Sequence, residues 1–299
     1  MRGGIWESAT FHPQAGPPSA NAAYPPSVDL DQRAAAKAAA HAQHGARLRL
    51  DWGPTGGGSI AAAADIAVVV DVLSFTTTLS IAAARGMRVY PFGWKDERAA
   101  SFAAERNASL AVGRFEARSL DRPTASLSPA ELLRSEPVPR LVLPSPNGST
   151  ICAALEADVP DLQIVGASLR NRTAVASWLR PRIADGASVA FVPAGERWPD
   201  GSLRPAVEDL WGAGAVLDLL RDTIQRDETS PEAEHAAAAY RAVVEGGPDC
   251  LRDALRQCAS GQELIAVGFG DDVEAAAELD GDDVVPLLTA DGFVAAGPA

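Results

Sequence analysis

Lysine is almost absent from this chain: only Lys37 and Lys95 occur, and arginine carries nearly all of the positive charge. Acidic residues outnumber basic ones by 39 to 26 over 299 residues, giving a formal net charge of -13 and a pI near 4.7. That field repels phosphate backbones and anionic lipid surfaces, which argues against a nucleic acid or a membrane as partner. Cysteine is scarce as well. Cys152, Cys250 and Cys258 fall at spacings that match neither a zinc site nor a disulfide framework, so a reducing cytoplasm is the expected compartment. Histidine is missing between His44 and His235, which argues against a histidine nucleophile or a histidine-based triad. His12, His41 and His44 lie near the N-terminus with no further ligand nearby and read as exposed side chains. No apolar run reaches transmembrane length, and no basic segment with an apolar h-region opens the chain. A Walker A pattern and a G-x-G-x-x-G after a strand are both lacking.

What is present is enough apolar material, 47% of the residues, to bury a large core. Strand-like and helix-like patterns alternate along the chain, which implies βαβ units. The expected fold is a three-layer α/β/α domain with a mainly parallel sheet over residues 46–299, preceded by a partly ordered extension, residues 1–45. Strands are predicted at Arg47 to Trp52, Ile66 to Val70, Arg88 to Phe92, Ser109 to Val112, Arg140 to Leu143, Gln163 to Gly166, Ser188 to Val192, Leu264 to Val267 and Val284 to Leu288. A turn is predicted at Gly53 to Gly58.

The most informative stretch runs from Asp65 to Gly86. Ile66, Val68, Val69 and Val70 form a run with no polar face, as in a strand buried on both sides. Asp71 ends that strand, at the sheet edge where open α/β sheets bind ligands. Thr76, Thr77 and Thr78 follow where a helix should begin, and helix N-termini suit anions. Two readings stand: an acid for a cation beside a turn for an anion, or a threonine cap with a strand-end aspartate satisfied by backbone N–H groups.

Similar strand ends recur. Asn147, Gly148 and Ser149 open a helix after Arg140 to Leu143, and suit a phosphate or form an ordinary Asn-Gly turn. Arg170 and Arg172 follow the next strand and are either an anion clamp or solvated charges. Glu208 and Asp209 head a later helix, either solvated or reaching the same edge as Asp71, where a hard cation such as Mg2+ takes carboxylate oxygens. Gly212, Ala213 and Gly214 let that helix pack closely. Cys250 to Arg256 fits a bare Cys-x5-Arg formula, but its helix-forming residues argue against a phosphate-cradling loop. Asp71-Val72-Leu73 lacks the second acid of the haloacid-dehalogenase signature.

The ordered series Asp71-Val72-Leu73 with Thr76-Thr77-Thr78, Ser128-Pro129, Asn147-Gly148-Ser149, Ser168-Leu169-Arg170-Asn171, Ala194-Gly195, and Glu208-Asp209 with Ala213-Gly214 resembles the 2-phosphosulfolactate phosphatases. The closing segment, Leu264, Gly268, Asp271-Asp272-Val273 and Asp280 to Pro286, is similar too, so the likeness spans about residues 48–290. The resemblance implies a Mg2+-dependent phosphomonoesterase that converts 2-phospho-3-sulfolactate to 3-sulfolactate and phosphate, a step of coenzyme M biosynthesis. Water or a carboxylate is the nucleophile. Asp71, Glu208 and Asp209 are then the catalytic and metal-binding candidates, with Glu116 as a further metal ligand. Thr76, Thr77, Asn147, Gly148, Ser149 and Asn171 are the substrate contacts, and Arg170 and Arg197 partner a carboxylate or sulfonate. Three departures stand out: Ser74-Phe75 replaces the family's Arg-Ala, Pro193 replaces a cysteine, and Gly113-Arg114-Phe115-Glu116 replaces a Gly-Glu-Arg loop. A phosphatase of another small phosphorylated acid, or a non-catalytic anion-binding relative, are the alternatives. A homodimer is compatible with the chain, which does not itself report its assembly.

Overall fold

A computed structural model describes residues 30–93, 97–119 and 125–297. Residues 1–29 of the expected extension, His12 included, lie outside the described residues. The chain divides into a short unit, Met1–Lys37, and a body, Ala38–Ala299. Helix α1 (Leu30–His41) is the first described element.

In the body, β1 (Leu48–Leu50), α2 (Gly53–Ala61), β2 (Ile66–Val70), α3 (Phe75–Ala84), β3 (Arg88–Phe92), α4 (Glu97–Glu105) and β4 (Ser109–Leu110) come first. Next are α5 (Arg114–Ser119), α6 (Pro129–Arg134), β5 (Arg140–Pro144), α7 (Gly148–Asp158), β6 (Gln163–Ala167), α8 (Arg172–Ala184) and β7 (Val189–Pro193). The short strands β8 (Glu196–Arg197) and β9 (Leu203–Arg204) pair with each other. Helices α9 (Val207–Leu220), α10 (Pro231–Val244), α11 (Pro248–Gln257), α12 (Ala259–Ala266) and α13 (Gly270–Ala277) precede a hairpin of β10 (Pro286–Thr289) and β11 (Gly292–Ala295).

Among the described residues nine strands form one sheet in the order β1-β7-β2-β6-β10-β11-β3-β5-β4. The pairs of β7 with β1 and β2, of β2 with β6, and of β5 with β3 and β4 are parallel, so the sheet is mainly parallel as expected. Strand β2 lies inside it with every residue buried. Ile66, Val68 and Val70 face a core with α8, α9 and α10, whereas Ala67 and Val69 face a second core with α2, α3 and α7. Helices thus cover both faces, which makes the three layers. Val68, Val69 and Val70 are fully buried, and each such side chain contributes about 1.5–3 kcal/mol.

The carboxyl-terminal hairpin divides the sheet. Its pairings with β6 and β3 are antiparallel, as is the pairing of β10 with β11, so β3, β4 and β5 run opposite to β1, β2, β6 and β7. Twist of about 20–25° per strand accumulates to about 100° or more over the five steps from β2 to β5. Strands of nominally opposite direction then cross obliquely, which allows the carboxyl ends of β2 and β5 to meet.

Three local expectations are corrected. Gly53 to Gly58 is not a turn but the first part of α2, which starts with Pro54 in its first turn. Gly57 is required by close packing, since a Cβ there would stand 2.5 Å from Val192 Cγ1. Leu264 to Val267 is not a strand: it is the end of α12 with Val267 as its C-cap. The last predicted strand begins at Pro286 rather than Val284 and is followed by an unanticipated partner, β11. Cys250 lies in the amphipathic helix α11, in agreement with its dismissal as a phosphate loop.

Candidate active site

Asp71 leaves the carboxyl end of β2 and is only 4% exposed. Its Oδ1 accepts from the Phe75 N–H at 3.1 Å, and its Oδ2 accepts from the Gly148 N–H at 2.9 Å and from Ser145 Oγ at 3.5 Å. The start of α7 is therefore fastened to the loop after β2. Gly148 has to be glycine, because a Cβ would stand 2.3 Å from Phe75 Cδ1 and 2.9 Å from Asp71 Oδ2.

The neighbouring hydroxyls serve the backbone. Thr76 Oγ1 donates to the Asp71 carbonyl and accepts from the Asp71 N–H, and Thr77 Oγ1 donates to the Val72 carbonyl. Ser149 Oγ donates to the Leu143 carbonyl at 2.9 Å. All three residues are fully buried. Their hydroxyls hold the two turns in shape but cap neither helix. Ser74 and Asn147 are the N-caps of α3 and α7, each without a side-chain capping bond, so the expected threonine cap is corrected, while the strand-end Asp71 does take backbone N–H groups.

Glu208 and Asp209, in the first turn of α9, are buried at 2% and 3% exposure. Asp209 joins two strand ends: Oδ1 accepts from the Val72 N–H at 2.7 Å and Oδ2 from the Gly195 N–H at 2.9 Å. Gly212, one turn further on, lets α9 lie against the sheet, since a Cβ would meet Val72 and Val70 at 2.6 and 2.7 Å. Glu208 Oε2 is buried with no hydrogen-bond partner among the described residues.

These acids act on one another. Burial pushes the Asp71 carboxyl up, and the charge of Glu208 adds to that, while the Phe75 and Gly148 N–H groups and Arg114 oppose it. Burial raises Asp209 well above the usual carboxylate range, with Asp71, Glu208 and Glu196 all adding to the rise. Glu196, just after β7, is pushed up to about 7 by burial and by Asp71 and Glu208, against a hydrogen bond from Asn147 and the charge of Arg204.

Two cavities open beside the cluster and share Asn147 and Glu196 as a wall. The first, of about 170 Å³, is lined by Asp71, Ser74, Arg114, Ser145 and Asn147 among others. The second, of about 250 Å³, is lined by Trp52, Thr55, Ile151, Arg197 and Leu203. Asn147 Nδ2 donates to Glu196 Oε2 at 2.9 Å across that wall. Among the described residues the Arg197 side chain makes only long contacts, to the carbonyls of Gly201 at 3.3 Å and Pro146 at 3.4 Å.

The structure therefore gathers Asp71, Asn147, Gly148, Glu208 and Asp209, and places Arg197 at the second cavity. It does not bring in Arg170 or Asn171. Arg170 is 3% exposed, with Nε and Nη2 on Asp282 at 2.7 and 3.1 Å and Nη1 on Glu278 and the Ala275 carbonyl. Asn171 is fully buried and bonded to Ser168, Gly166 and Val284. Arg172 pairs with Asp280 at 2.9 Å. All three fasten the segment around α13 to the body. Glu116 is exposed on α5 and is not part of the cavity lining. Sequence reasoning missed Arg114, Ser145 and Glu196; for Glu196 the signal was present, since it follows a buried strand as Asp71 does.

An oxygen-ligating cation suits this donor set. Asp71, Glu208 and Asp209 concentrate negative charge, and Glu208 Oε2 has an unused acceptor. Among the described residues no three acid, histidine or cysteine side chains form a ready cage. Mg2+ commonly uses one or two carboxylates and takes its other oxygens from substrate and water.

A profile of the 2-phosphosulpholactate phosphatase family matches residues 58–291, and so covers the whole of this cluster. The chain belongs to that family. Its relatives include a probable 2-phosphosulfolactate phosphatase of Carboxydothermus hydrogenoformans, 31% identical over 224 residues that cover 73% of this chain and 84% of that protein. A protein of the same description from Parasynechococcus marenigrum is 31% identical over 238 residues, covering 79% and 93% respectively. Set against the family's usual Arg-Ala, Ser74 is instructive in the structure, for Arg114 Nη2 donates to its Oγ at 2.5 Å. A guanidinium thus stands beside position 74 although it comes from another loop.

The Glu196 carboxyl gives a pH prediction for metal-free protein. Its folded pKa lies above the ordinary 4.5, so the folded state holds the proton longer than the unfolded chain and stability falls as pH rises from about 4.5 to about 7. Glu196→Gln removes this contribution. In EDTA the variant should match wild type near pH 4.5 and exceed it by roughly 2 kcal/mol at pH 8, a figure reduced for the solvent this half-buried group still reaches. A difference between the two proteins that does not change with pH would refute the assignment.

Proposed function

We propose that the protein is a Mg2+-dependent phosphomonoesterase acting on 2-phospho-3-sulfolactate. The observation that carries this reading is the meeting of Asp71, Asn147 and Gly148 from two separate strand ends at a cavity backed by Glu208 and Asp209, in a chain of the 2-phosphosulpholactate phosphatase family. Asp71 with Glu208 and Asp209 would hold the cation, which neutralises charge on the phosphoryl group and polarises it. The phosphoryl group enters the first cavity beside Asp71, Ser145 and Asn147. A second acidic group of the substrate extends past Asn147 and Glu196 to Arg197, which no carboxylate engages within ion-pair distance among the described residues. Either water or the Asp71 carboxylate attacks phosphorus as the P–O bond to the substrate's C2 oxygen breaks and that oxygen leaves as the protonated alcohol. If Asp71 attacks, water then hydrolyses the acyl phosphate and frees phosphate. The expected compartment is a reducing cytoplasm, which agrees with three free cysteines. No described helix is long and apolar enough to cross a membrane.

Phosphate release by the purified full-length chain tests this reading. Turnover of 2-phospho-3-sulfolactate should need Mg2+ and stop in EDTA. Phospholactate, which lacks the sulfonate, should lose about 10–100-fold in kcat/KM, the worth of a charge-assisted contact. Equal turnover of both would remove the assignment of Arg197, and no phosphate release from any phosphorylated acid would leave a non-catalytic anion-binding protein.

A further inference from the structure

An anionic substrate faces a problem at this cleft, because Asp71 and Glu196 both line the first cavity and Glu208 and Asp209 add to the negative field. Among the described residues one cationic side chain, Arg114, lines the same cavity. Its Nε donates to Asp272 Oδ2 at 2.6 Å and its Nη2 to Ser74 Oγ at 2.5 Å. Asp272 is itself 1% exposed, and accepts from Ser128 Oγ and from the Ala130 N–H at 3.2 Å. The guanidinium is therefore fixed through two of its three nitrogens, and Nη1 has no protein partner among the described residues. The ring of Phe269 lies 5.9 Å away.

Comparison with Arg170 separates a structural arginine from this one. Arg170 is also held by a buried aspartate, but all three of its nitrogens are bonded and only 3% of the side chain is exposed. Arg114 keeps 21% of its side chain exposed, in a cavity it shares with a strand-end acid. Its positive charge also reaches that acid, opposing the rise in the Asp71 pKa.

We propose that Arg114 is the phosphoryl-binding residue of this cleft, donating through Nη1 to a non-bridging phosphate oxygen in the cavity it shares with Asp71, Ser145 and Asn147. Asp272 and Ser74 are its positioning residues. This inference rests on the phosphomonoesterase reading and names the group that offsets the substrate's charge. Guanidinium suits the role because it stays ionised and presents donors in a fixed plane to tetrahedral oxyanions. The contact with Ser74 adds a geometric consequence: a guanidinium carried from position 74 can take the place of the one from position 114.

Calorimetric titration of inorganic phosphate into the full-length protein, in Mg2+ buffer without substrate, decides the matter. Arg114→Ala should keep the circular dichroism of wild type and weaken phosphate binding by about 10–100-fold. Adding Ser74→Arg to that variant should return the affinity to within several-fold of wild type, which no purely structural role for Arg114 provides. Should Arg114→Ala fail to fold, Arg114→Met keeps the aliphatic stem and is judged by the same loss. Phosphate affinity within twofold of wild type in a folded variant overturns the proposal, and so does wild-type protein that takes up no phosphate. The reading of the substrate fails separately: wild type that binds phosphate but releases none from 2-phospho-3-sulfolactate sinks that reading, while the affinities still decide Arg114.

Discussion

Asp71→Asn is expected to leave a folded protein whose phosphate release is slower by about 10³-fold or more. The size follows from position. Asp71 is the acid that both joins the two strand-end turns and lines the first cavity. Whether it binds the cation or attacks phosphorus, the reaction needs its negative charge, and asparagine removes that charge at nearly constant volume. Stability should change little. The amide nitrogen cannot accept the N–H that one carboxylate oxygen now accepts, at a cost of about 1–3 kcal/mol. Against this, the substitution removes a buried charge that raises the pKa of both Asp209 and Glu196. A melting temperature within several degrees of wild type, with steady-state phosphate release measured on the same preparation, checks both halves. Activity within tenfold of wild type would take Asp71 out of the chemistry.

Replacing Asp209 should cost stability as well. Both of its oxygens are used by backbone N–H groups, those of Val72 and Gly195, at the ends of neighbouring strands β2 and β7. Asp209→Ala leaves two buried donors without acceptors, each costing about 1–3 kcal/mol. Relief of the repulsion from Asp71 and Glu208 offsets part of this, so a net loss of roughly 2–4 kcal/mol is expected in urea unfolding. Glu208→Gln is the control one residue away. Glu208 Oε2 has no donor to lose, so this variant should be as stable as wild type or more so in EDTA. If Asp209→Ala were as stable as wild type, the residue would not hold the ends of β2 and β7 together.

The sequence made the centre of this site legible because one physical pattern marks it. A run of β-branched residues with no polar face can only be buried on both sides, and an acid placed directly after it falls at a ligand-binding edge. Gly212 was legible for a related reason, as a helix glycine predicted to pack closely. Residues that act through distant partners were hidden. Arg114 acquires its meaning from Asp272, 158 positions later, and from Ser74, 40 positions earlier. Thr76, Thr77 and Ser149 carried the right chemistry for an anion, but the loop backbone claims their hydroxyls first. Arg170 is a like case, since a guanidinium looks the same in sequence whether it awaits a substrate or pairs with the buried Asp282 and the exposed Glu278.

The fold was readable to the same depth. Local periodicity gives strand and helix alternation, but the opposed halves of the sheet depend on a hairpin inserted between β6 and β3. Helix α2 contradicts its own composition, GPTGGGSIA, because glycine is a poor helix former. Contact with Val192 decides the matter there. Leu264 to Val267 read as a strand from a short apolar run, a pattern that periodicity alone cannot separate from a helix end.

The most direct test of the convergence at Asp71 is a crystal structure of the full-length protein grown with Mg2+ and inorganic phosphate. Phosphorus should lie in the cavity lined by Asp71, Ser145, Asn147 and Arg114, with the cation between the phosphate and the carboxylates of Asp71, Glu208 and Asp209. Phosphate bound at another face of the molecule, with these carboxylates ligating nothing, would contradict the account.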